Sequence, residues 1–235
     1  GLLMLYPKTF EPIKNKTHHL KSSGAMVYED SQEVLWFDAN CGILCSQNDS
    51  GEVDLYNTKS CPWTMLEDDK GLLWVGGNSL WVERSNRSMT EHEYLYFTNN
   101  KKGKITFSIK QMTSGDIYIG TNEGIYSPDE DSLLLVKGSL DLGDVYFFYE
   151  DNNHNLLAVG SSGISIFNSD SIVKTFGKKD GLPCNDIRTI YQDSTLNYWI
   201  GTSQHGLCMF DGLKLTQFTY EDGRLNRNVW SIIED

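Results

Sequence analysis

The chain reads DGLPCNDIRTIYQD at residues 180–193 and returns to a similar stretch, DGRLNRNVWSIIED, at residues 222–235. The second stretch begins 42 residues after the first. Between them lie two short apolar runs, YWIGT at 198–202 and GLCMFD at 206–211. A period of about 40 residues that holds several short β-type runs is typical of propeller blades. The repeat therefore predicts a β-propeller.

The Trp-Ile-Gly core of this repeat has a counterpart in each earlier part of the chain, at spacings of 38, 44, 40 and 41 residues. These anchor positions are Trp36, Trp74, Tyr118, Ala158 and Trp199. An aspartate stands six or seven residues before four of the five anchors, and Met112 takes its place before Tyr118. The aspartates are Asp30, Asp68, Asp151 and Asp193. We expect them to cap turns through their side-chain oxygens, and we expect the tryptophan anchors to pack between blades.

Each repeat reads as four short strands, which we label A to D in chain order. The runs are rich in β-branched and aromatic residues and are bounded by Gly, Asn, Asp and Ser. No amphipathic helix of ten or more residues competes with them. We therefore predict an all-β fold of four-stranded antiparallel blades with strand A innermost. The predicted blades are residues 26–61, 62–104, 105–144, 145–186 and 187–228.

The two ends of the sequence predict partial blades. Residues 1–10 align with the stretch that begins at Gly206, so residues 1–25 are expected to end a preceding blade. Residues 229–235 align with strand A and are expected to be the first strand of the next blade. Because a single blade cannot bury both of its faces, we expect the chain to be a segment of a larger propeller.

Composition excludes several classes of function. The net charge of −12 argues against binding to nucleic acid and to anionic membrane surfaces. No apolar run approaches 18 residues, so we expect no membrane insertion by this segment. The sequence lacks Gly-x-Ser-x-Gly, phosphate-loop and His-Glu-x-x-His patterns. We therefore predict no enzymatic activity, no cofactor and no metal site.

The five cysteines show no metal-type pairing, and we expect most of them to be buried small residues. They are Cys41, Cys45, Cys61, Cys184 and Cys208.

The motifs DGLPxN, IxTIYQD, YWIGT and GLxxFD together resemble the two-component regulator propeller repeat. The resemblance is clearest in residues 181–235 and is degenerate in residues 26–180, where Asp38 stands at an expected glycine. It implies the periplasmic, ligand-sensing part of a membrane-anchored bacterial hybrid histidine kinase. Such a region would recognise an oligosaccharide or another small ligand and would work with further blades and signalling domains of the same protein, as a homodimer. The alternatives are a sensor for a diguanylate cyclase or other output domain, a protein-binding propeller scaffold, and a propeller lyase or hydrolase.

One column of residues is the predicted ligand site. The second residue of strand A changes from repeat to repeat but is aromatic in most of them, and we expect it to lie where the D-to-A and B-to-C loops converge. Aromatic rings suit sugar rings, and an arginine suits an anionic group. The column is Ala25, Trp63, Phe107, Tyr146, Arg188 and Trp230, with His205 added from a B-to-C loop. The alternative is that these side chains only pack between neighbouring blades.

Overall fold

The computed structural model describes residues 3–6, 9–12, 26–47, 52–79, 81–98, 104–168, 171–218 and 227–234. Within these ranges the only helical segments are two short 3-10 turns, Ser139–Leu142 and Lys178–Asp180. All other regular structure there is β-strand. The prediction of an all-β fold is confirmed.

The described residues form twenty-two strands in chain order. They are β1 (Leu3–Tyr6), β2 (Thr9–Pro12), β3 (Val27–Glu29), β4 (Leu35–Asn40), β5 (Ile43–Gln47), β6 (Val53–Asn57), β7 (Pro62–Glu67), β8 (Leu73–Ser79), β9 (Trp81–Ser85), β10 (His92–Phe97), β11 (Lys104–Gln111), β12 (Ile117–Thr121), β13 (Gly124–Asp129), β14 (Ser132–Leu135), β15 (Val145–Glu150), β16 (Leu156–Gly160), β17 (Gly163–Asn168), β18 (Ser171–Phe176), β19 (Ile187–Gln192), β20 (Tyr198–Thr202), β21 (Leu207–Phe210) and β22 (Leu215–Phe218). The strands β1 and β2 form a hairpin. From β3 onward, each successive group of four strands is hydrogen-bonded in chain order, and neighbouring strands within a group run antiparallel.

The chain divides into two compact units, and each is described by itself. Unit 1 holds Gly1–Tyr96 and Asn100–Thr106, and unit 2 holds Phe97–Asn99 and Phe107–Asp235. Strand β11 therefore begins in unit 1 and ends in unit 2.

Apolar cores lie between successive sheets within each unit. In unit 1, Trp36 of β4 and Leu73 of β8 share one buried cluster, so the first two blades pack face to face. In unit 2, Ile125 of β13 packs with Val145 of β15, and Val159 of β16 packs with Ile190 of β19. The tryptophan anchors Trp36 and Trp74 are 2% and 1% exposed, which confirms their packing role. Trp199 differs because it is half-buried and stacks on Phe218 of its own blade, with 5.7 Å between ring centroids.

The repeated aspartates cap turns, as predicted. The Asp68 Oδ1 atom accepts hydrogen bonds from the backbone N–H groups of Lys70 (3.0 Å) and Leu72 (2.9 Å). The Asp68 Oδ2 atom accepts a 2.8 Å bond from the indole of Trp74. Asp30 with Trp36 and Asp193 with Trp199 repeat this arrangement. The six-residue spacing thus joins a turn to the buried anchor of the next strand.

The fourth blade keeps its aspartate after losing the tryptophan. The expected anchor Ala158 is one residue too late, because Leu157 pairs with Tyr149 as Trp199 pairs with Tyr191, three residues after the bulge in each blade. Asp151 Oδ2 accepts from Asn155 Nδ2 and from the hydroxyl of Tyr198, both at 3.0 Å. Since Tyr198 belongs to β20 of the following blade, Asp151 makes a contact between two blades where the other aspartates bond an indole of their own blade.

A second recurring contact, which we call the blade latch, joins neighbouring blades. A carboxylate or amide near the end of one strand A, or of the segment 229–234 that aligns with strand A, accepts a hydrogen bond from the backbone N–H at the A-to-B turn of the preceding blade. The acceptor–donor pairs are Glu67–Ser31 (2.7 Å), Glu150–Thr113 (2.9 Å), Gln192–Asn152 (3.1 Å) and Glu234–Ser194 (3.1 Å). Each acceptor directly precedes an aspartate in the sequence, so a Glu/Gln-Asp dipeptide marks both the latch and the turn.

Residues 229–234 form no hydrogen-bonded ladder with the described strands, so the expectation that residues 229–235 are the first strand of a further blade stays a prediction. The segment is instead held by single contacts such as Val229 N to Thr202 O at 3.1 Å. Asp235 lies outside the described residues.

The cysteines also differ in part from the expectation. Cys45 and Cys208 are fully buried, as expected for small apolar residues, but Cys41 and Cys61 form a disulfide. Cys41 lies in the B-to-C turn of the first blade, and Cys61 directly precedes strand A of the second. Their 20-residue separation has no diagnostic pattern, which is why spacing alone did not indicate the bond.

Candidate functional site

The predicted column coincides with β-bulges at the start of strand A. The pairing register shifts between Pro62 and Thr64, between Val145 and Phe147, and between Ile187 and Thr189. The bulged residues are therefore Trp63, Tyr146 and Arg188. A bulge inserts one extra residue that has no cross-strand partner and re-aims its side chain. These three side chains are consequently released from the in–out alternation of the sheet.

The bulge brings the backbone close to the end of strand B. A Cβ atom on Gly160 would lie 1.8 Å from the carbonyl oxygen of Asp144, and one on Gly77 would lie 1.8 Å from that of Cys61. Such an approach excludes every residue except glycine. Gly77 and Gly160 therefore allow the close backbone approach that accompanies the bulge, and the bulge carries the column residue.

The D-to-A and B-to-C loops meet beside the column in the last two blades. Ser161 N donates to Asp144 O at 2.9 Å, and Ser203 N donates to Asp186 O at 3.0 Å. Val229 N donates in turn to Thr202 O at 3.1 Å. The predicted convergence of the two loop types is confirmed for these blades.

Four column residues of unit 2 form one continuous stack. The Phe107 and Tyr146 rings meet edge to face with centroids 5.2 Å apart. The Arg188 guanidinium carbon lies 4.2 Å from the Tyr146 ring centroid and 4.9 Å from that of Trp230. A guanidinium between two aromatic faces gains cation–π attraction on both sides. We call Phe107, Tyr146, Arg188 and Trp230 the aromatic–arginine stack.

Aspartate side chains accept hydrogen bonds from both Tyr146 and Arg188 of the stack. The Tyr146 hydroxyl donates a 3.0 Å hydrogen bond to Asp144 Oδ2. Burial, followed by the hydrogen bond and the charge of Asp144, raises the pKa of Tyr146 to about 12. The phenol is therefore a fixed, neutral donor at physiological pH.

Arg188 is paired but not saturated. Its Nη2 atom donates a 3.0 Å bond to Asp186 Oδ2. The Arg188 Nε and Asp186 Oδ1 atoms are buried without a hydrogen-bond partner. The bond to Asp186 already occupies one nitrogen of Arg188, and the expected bidentate contact with an anionic ligand stays a prediction. One buried donor and one buried acceptor at the stack lack a hydrogen-bond partner.

The column members differ in exposure. Trp230 is 67% exposed, whereas Phe107, Tyr146 and Arg188 are half-buried. Trp63 is 39% exposed and belongs to unit 1, apart from the stack. Ala25 lies outside the described residues.

His205 shares the loop region of the fifth blade but is not brought into the stack by any recorded contact of the described residues. Its side chain is exposed, and its Nδ1 atom lies 3.2 Å from the carbonyl oxygen of Ser203. The neighbouring Gln204 N donates to Asn228 Oδ1 at 2.8 Å, which ties this loop to the segment that carries Trp230.

Sequence reasoning missed Asp144 and Asp186, although a signal was present. Each stands two residues before its partner in the column, as Asp144-Val145-Tyr146 and Asp186-Ile187-Arg188. Asn228-Val229-Trp230 repeats the spacing with an amide. A polar residue two positions before the bulged residue is thus a sequence pattern that indicates the site.

Among the described residues, no group of three or more His, Cys, Asp or Glu side chains is arranged to hold a metal ion. Their helices are all too short or too polar to cross a membrane.

Solved structures with the same architecture come from several functional classes. The extracellular domain of a protein described as a hybrid two-component system from B. thetaiotaomicron matches 89% of this chain at 19% identity, with a TM-score of 0.67. A catalytically inactive virginiamycin B lyase from Staphylococcus aureus, solved with quinupristin, matches 82% at 12% identity, with a TM-score of 0.65. The WD40 β-propeller domain of Doa1 matches 86% at 13% identity, also with a TM-score of 0.65.

The matched part is 30% of the two-component domain, 68% of the lyase and 71% of the WD40 domain. No protein-family model matches the chain, and no curated protein matches it. The likeness at these identities shows the fold alone. The chain has the β-propeller fold that its repeat predicts.

Proposed function

We propose that this chain is the ligand-sensing propeller region of a bacterial two-component signalling protein of the hybrid histidine kinase type, and that it binds an oligosaccharide. The aromatic–arginine stack is the observation that carries the proposal. The large exposed area of Trp230 offers an apolar surface to a sugar ring. The Arg188 guanidinium carbon lies 4.9 Å from the Trp230 ring centroid and supports this surface from within the stack.

The charges at the stack favour a neutral sugar. Two carboxylates, Asp144 and Asp186, accompany the single guanidinium of Arg188. A uronic or sulfated group would add negative charge beside these acids, whereas hydroxyl groups can donate to them. We therefore expect neutral oligosaccharides to bind more tightly than acidic ones.

The Cys41–Cys61 disulfide supports an extracytoplasmic location. Disulfides persist in oxidising compartments such as the periplasm and the cell exterior. The same location suits a receptor for sugars released outside the cell. Two-component systems are also represented among the extracellular domains that share this fold.

Signalling would follow from differential affinity. A ligand that binds one arrangement of a receptor homodimer more tightly shifts the population toward it. In this proposal the propeller itself is not an enzyme, and the response comes from a histidine kinase or another output domain, such as a diguanylate cyclase. A protein-binding scaffold is the alternative, in which the stack would contact a polypeptide.

Isothermal titration calorimetry of the 235-residue chain with neutral and acidic oligosaccharides tests the proposal. Aromatic stacking contributes roughly 0.5–1.5 kcal/mol per contact, so Trp230→Ala should weaken binding about 2- to 10-fold. Arg188→Lys keeps the charge but loses the planar stacking surface and should also weaken binding. Leu213→Ala is a matched control, since Leu213 is 97% exposed in a turn outside the stack. Binding that is unchanged in both stack variants would exclude the stack as the sugar site.

A further inference from the structure

The Cys41–Cys61 disulfide lies directly beside a column residue of unit 1. Cys61 stands two positions before the bulged Trp63, in the D-to-A loop that leads into β7. In unit 2 the same position is held by Asp144 and Asp186, whose carboxylates bond the column residues that follow them. In unit 1 a sulfur that is covalently bound to the B-to-C turn of the first blade takes the place of that carboxylate. The redox state of this bond therefore decides which group precedes Trp63.

The two sulfur-bearing residues differ in their access to solvent. Cys41 is exposed in its turn, whereas Cys61 is half-buried. Thiol–disulfide exchange begins when an external thiolate attacks one sulfur of the bond, so access to that sulfur controls the rate. An attacking thiolate therefore meets Cys41 first, and Cys61 is the leaving group.

Hydrogen bonds also hold the two loops together, independently of the disulfide. The Thr58 backbone N–H donates to the carbonyl oxygen of Gly42 at 2.9 Å. The Thr58 hydroxyl donates to the carbonyl oxygen of Ser60 at 2.7 Å, and both residues are 7% exposed. These contacts remain available when the disulfide is opened, so reduction does not require the first two blades to unfold.

The fifth blade shows that the corresponding loops pack without cysteine. Asn228 stands two positions before Trp230, as Cys61 does before Trp63. Its side-chain oxygen accepts a 2.8 Å hydrogen bond from the backbone N–H of Gln204 in the B-to-C turn. A hydrogen bond thus serves in the fifth blade where a covalent bond serves in the first. The disulfide adds redox sensitivity to a contact that the fold can make without it.

The third cysteine of unit 1 does not compete for the bond. Cys45 is fully buried in β5. Burial, together with the charge of Asp38, raises the pKa of the Cys45 thiol to about 11. Because the thiolate is the attacking species, this thiol is inert toward the disulfide at physiological pH. Exchange at Cys41–Cys61 therefore depends on a thiol from outside the chain.

We propose that Cys41–Cys61 is a thiol–disulfide exchange site, at which an extracytoplasmic protein dithiol reduces the bond and releases the B-to-C turn from the loop that carries Trp63. The first thiolate of the dithiol bonds to Cys41 Sγ, the Cys41–Cys61 bond breaks, and Cys61 leaves as a thiolate that takes a proton from water. The second thiolate of the dithiol then displaces Cys41 from the mixed disulfide, and Cys41 is protonated in turn. The dithiol is oxidised to a disulfide and the protein gains two thiols. This proposal does not rest on the function proposed for the aromatic–arginine stack.

Thiol labelling of the folded 235-residue chain tests whether the bond opens locally. The chain is incubated with dithiothreitol at 25 °C without denaturant, quenched with N-ethylmaleimide and analysed by peptide mass spectrometry. We expect Cys41 and Cys61 to be labelled at a rate that rises in proportion to the dithiothreitol concentration, while Cys45 stays unlabelled. Labelling of all three cysteines together, at a rate independent of dithiothreitol, would show that reduction follows unfolding and would overturn the proposal.

Two single variants test which sulfur is attacked. Cys61→Ser leaves Cys41 as a free thiol, and Cys41→Ser leaves Cys61. Both are treated with oxidised glutathione, and we expect Cys41 to form the mixed disulfide several-fold faster because it is the exposed residue. Faster reaction of Cys61 would overturn the assignment of Cys41 as the entry point.

Hydrogen exchange measures the structural consequence of reduction. We expect amides of residues 41–43 and 58–63 to exchange about 10-fold faster in the reduced chain, as for a loss of about 1.4 kcal/mol in local stability. Residues 202–206 of the fifth blade, which have no disulfide, should not change. The double variant Cys41→Ser/Cys61→Ser should exchange like the reduced chain and should not respond to dithiothreitol. Equal exchange in the oxidised and reduced chains would contradict a release of the turn, and circular dichroism confirms that each form is folded.

Discussion

The carboxylate of Glu150, at the end of β15, accepts a 2.9 Å hydrogen bond from the backbone N–H of Thr113 in the turn of the preceding blade. The Thr113 hydroxyl donates to the same carboxylate, and His154 Nδ1 lies 3.0 Å from it. This blade latch joins two sheets through a side chain that is only 8% exposed. Loss of this latch should therefore lower the free energy of unfolding.

We predict that Glu150→Ala lowers the free energy of unfolding by about 2 kcal/mol, because hydrogen bonds to a charged acceptor contribute roughly 1.5–3 kcal/mol. Urea denaturation followed by tryptophan fluorescence measures the change. The exposed Glu91 is the comparison residue, and Glu91→Ala should stay within about 0.5 kcal/mol of wild type. Equal effects of the two substitutions would contradict the structural role of the latch.

The turn-capping aspartate of the second blade allows a second stability test. Asp68→Asn keeps the size of the side chain but gives it an amide, so it cannot accept from two backbone N–H groups and from the Trp74 indole in the same way. We expect a loss of about 1–3 kcal/mol in the same denaturation experiment. Asp129→Asn, at the exposed end of β13, should have little effect. A change in Asp68→Asn no larger than this control would show that the cap is dispensable.

Acid should weaken the fifth blade through Asp193. Burial acts to raise the pKa of Asp193, but hydrogen bonds from Trp199, Thr195 and Asn197 outweigh it and hold the pKa well below the ordinary value. A group whose folded pKa is depressed stabilises the native state fully above its unfolded pKa, and this contribution is lost as the pH falls through the folded pKa. We expect the urea midpoint to fall from about pH 5 downward. The fall should be shallower in Asp193→Asn, and parallel curves for the two proteins would contradict this assignment.

Reduction of the Cys41–Cys61 disulfide should destabilise the chain. Closing a loop of this size removes unfolded-state entropy worth roughly 3 kcal/mol in the chain-entropy account. We predict that dithiothreitol lowers the melting temperature of the wild-type chain but leaves that of Cys41→Ser/Cys61→Ser unchanged. Cys184→Ser keeps the disulfide and should respond to the reductant as wild type does. An equal response of all three proteins would mean that this bond adds no stability.

The fold could be predicted from the sequence because each blade repeats the same local physics. The six-residue spacing from Asp68 to Trp74 contains one turn, the start of one strand and one buried anchor. The repeat can therefore be recognised in any part of the sequence that keeps this spacing. The blade around Ala158 was still recognisable because its glycine and apolar alternation remain. The blade latch could also have been read, from the Glu/Gln-Asp dipeptides, but these residues look like ordinary surface acids until their partners are known.

The candidate sites were less accessible to sequence reasoning. The repeat alignment identified the residues of the column. It did not show that Arg188 contacts both Tyr146 and Trp230, because Arg188 is 42 positions from each of them in the sequence. The Cys41–Cys61 bond depends on a contact between two blades, which spacing does not encode.

The bulges at Trp63, Tyr146 and Arg188 have an evolutionary consequence. Each places one extra residue, outside the pairing register, beside positions that the hydrophobic core fixes, such as the buried Val145 and Ile187. Exchange of the bulged residue therefore changes what the loop face presents without altering the register of the strand. A lineage built on this plan can change the chemistry of its loop face through single substitutions, one blade at a time, while the scaffold beneath stays the same.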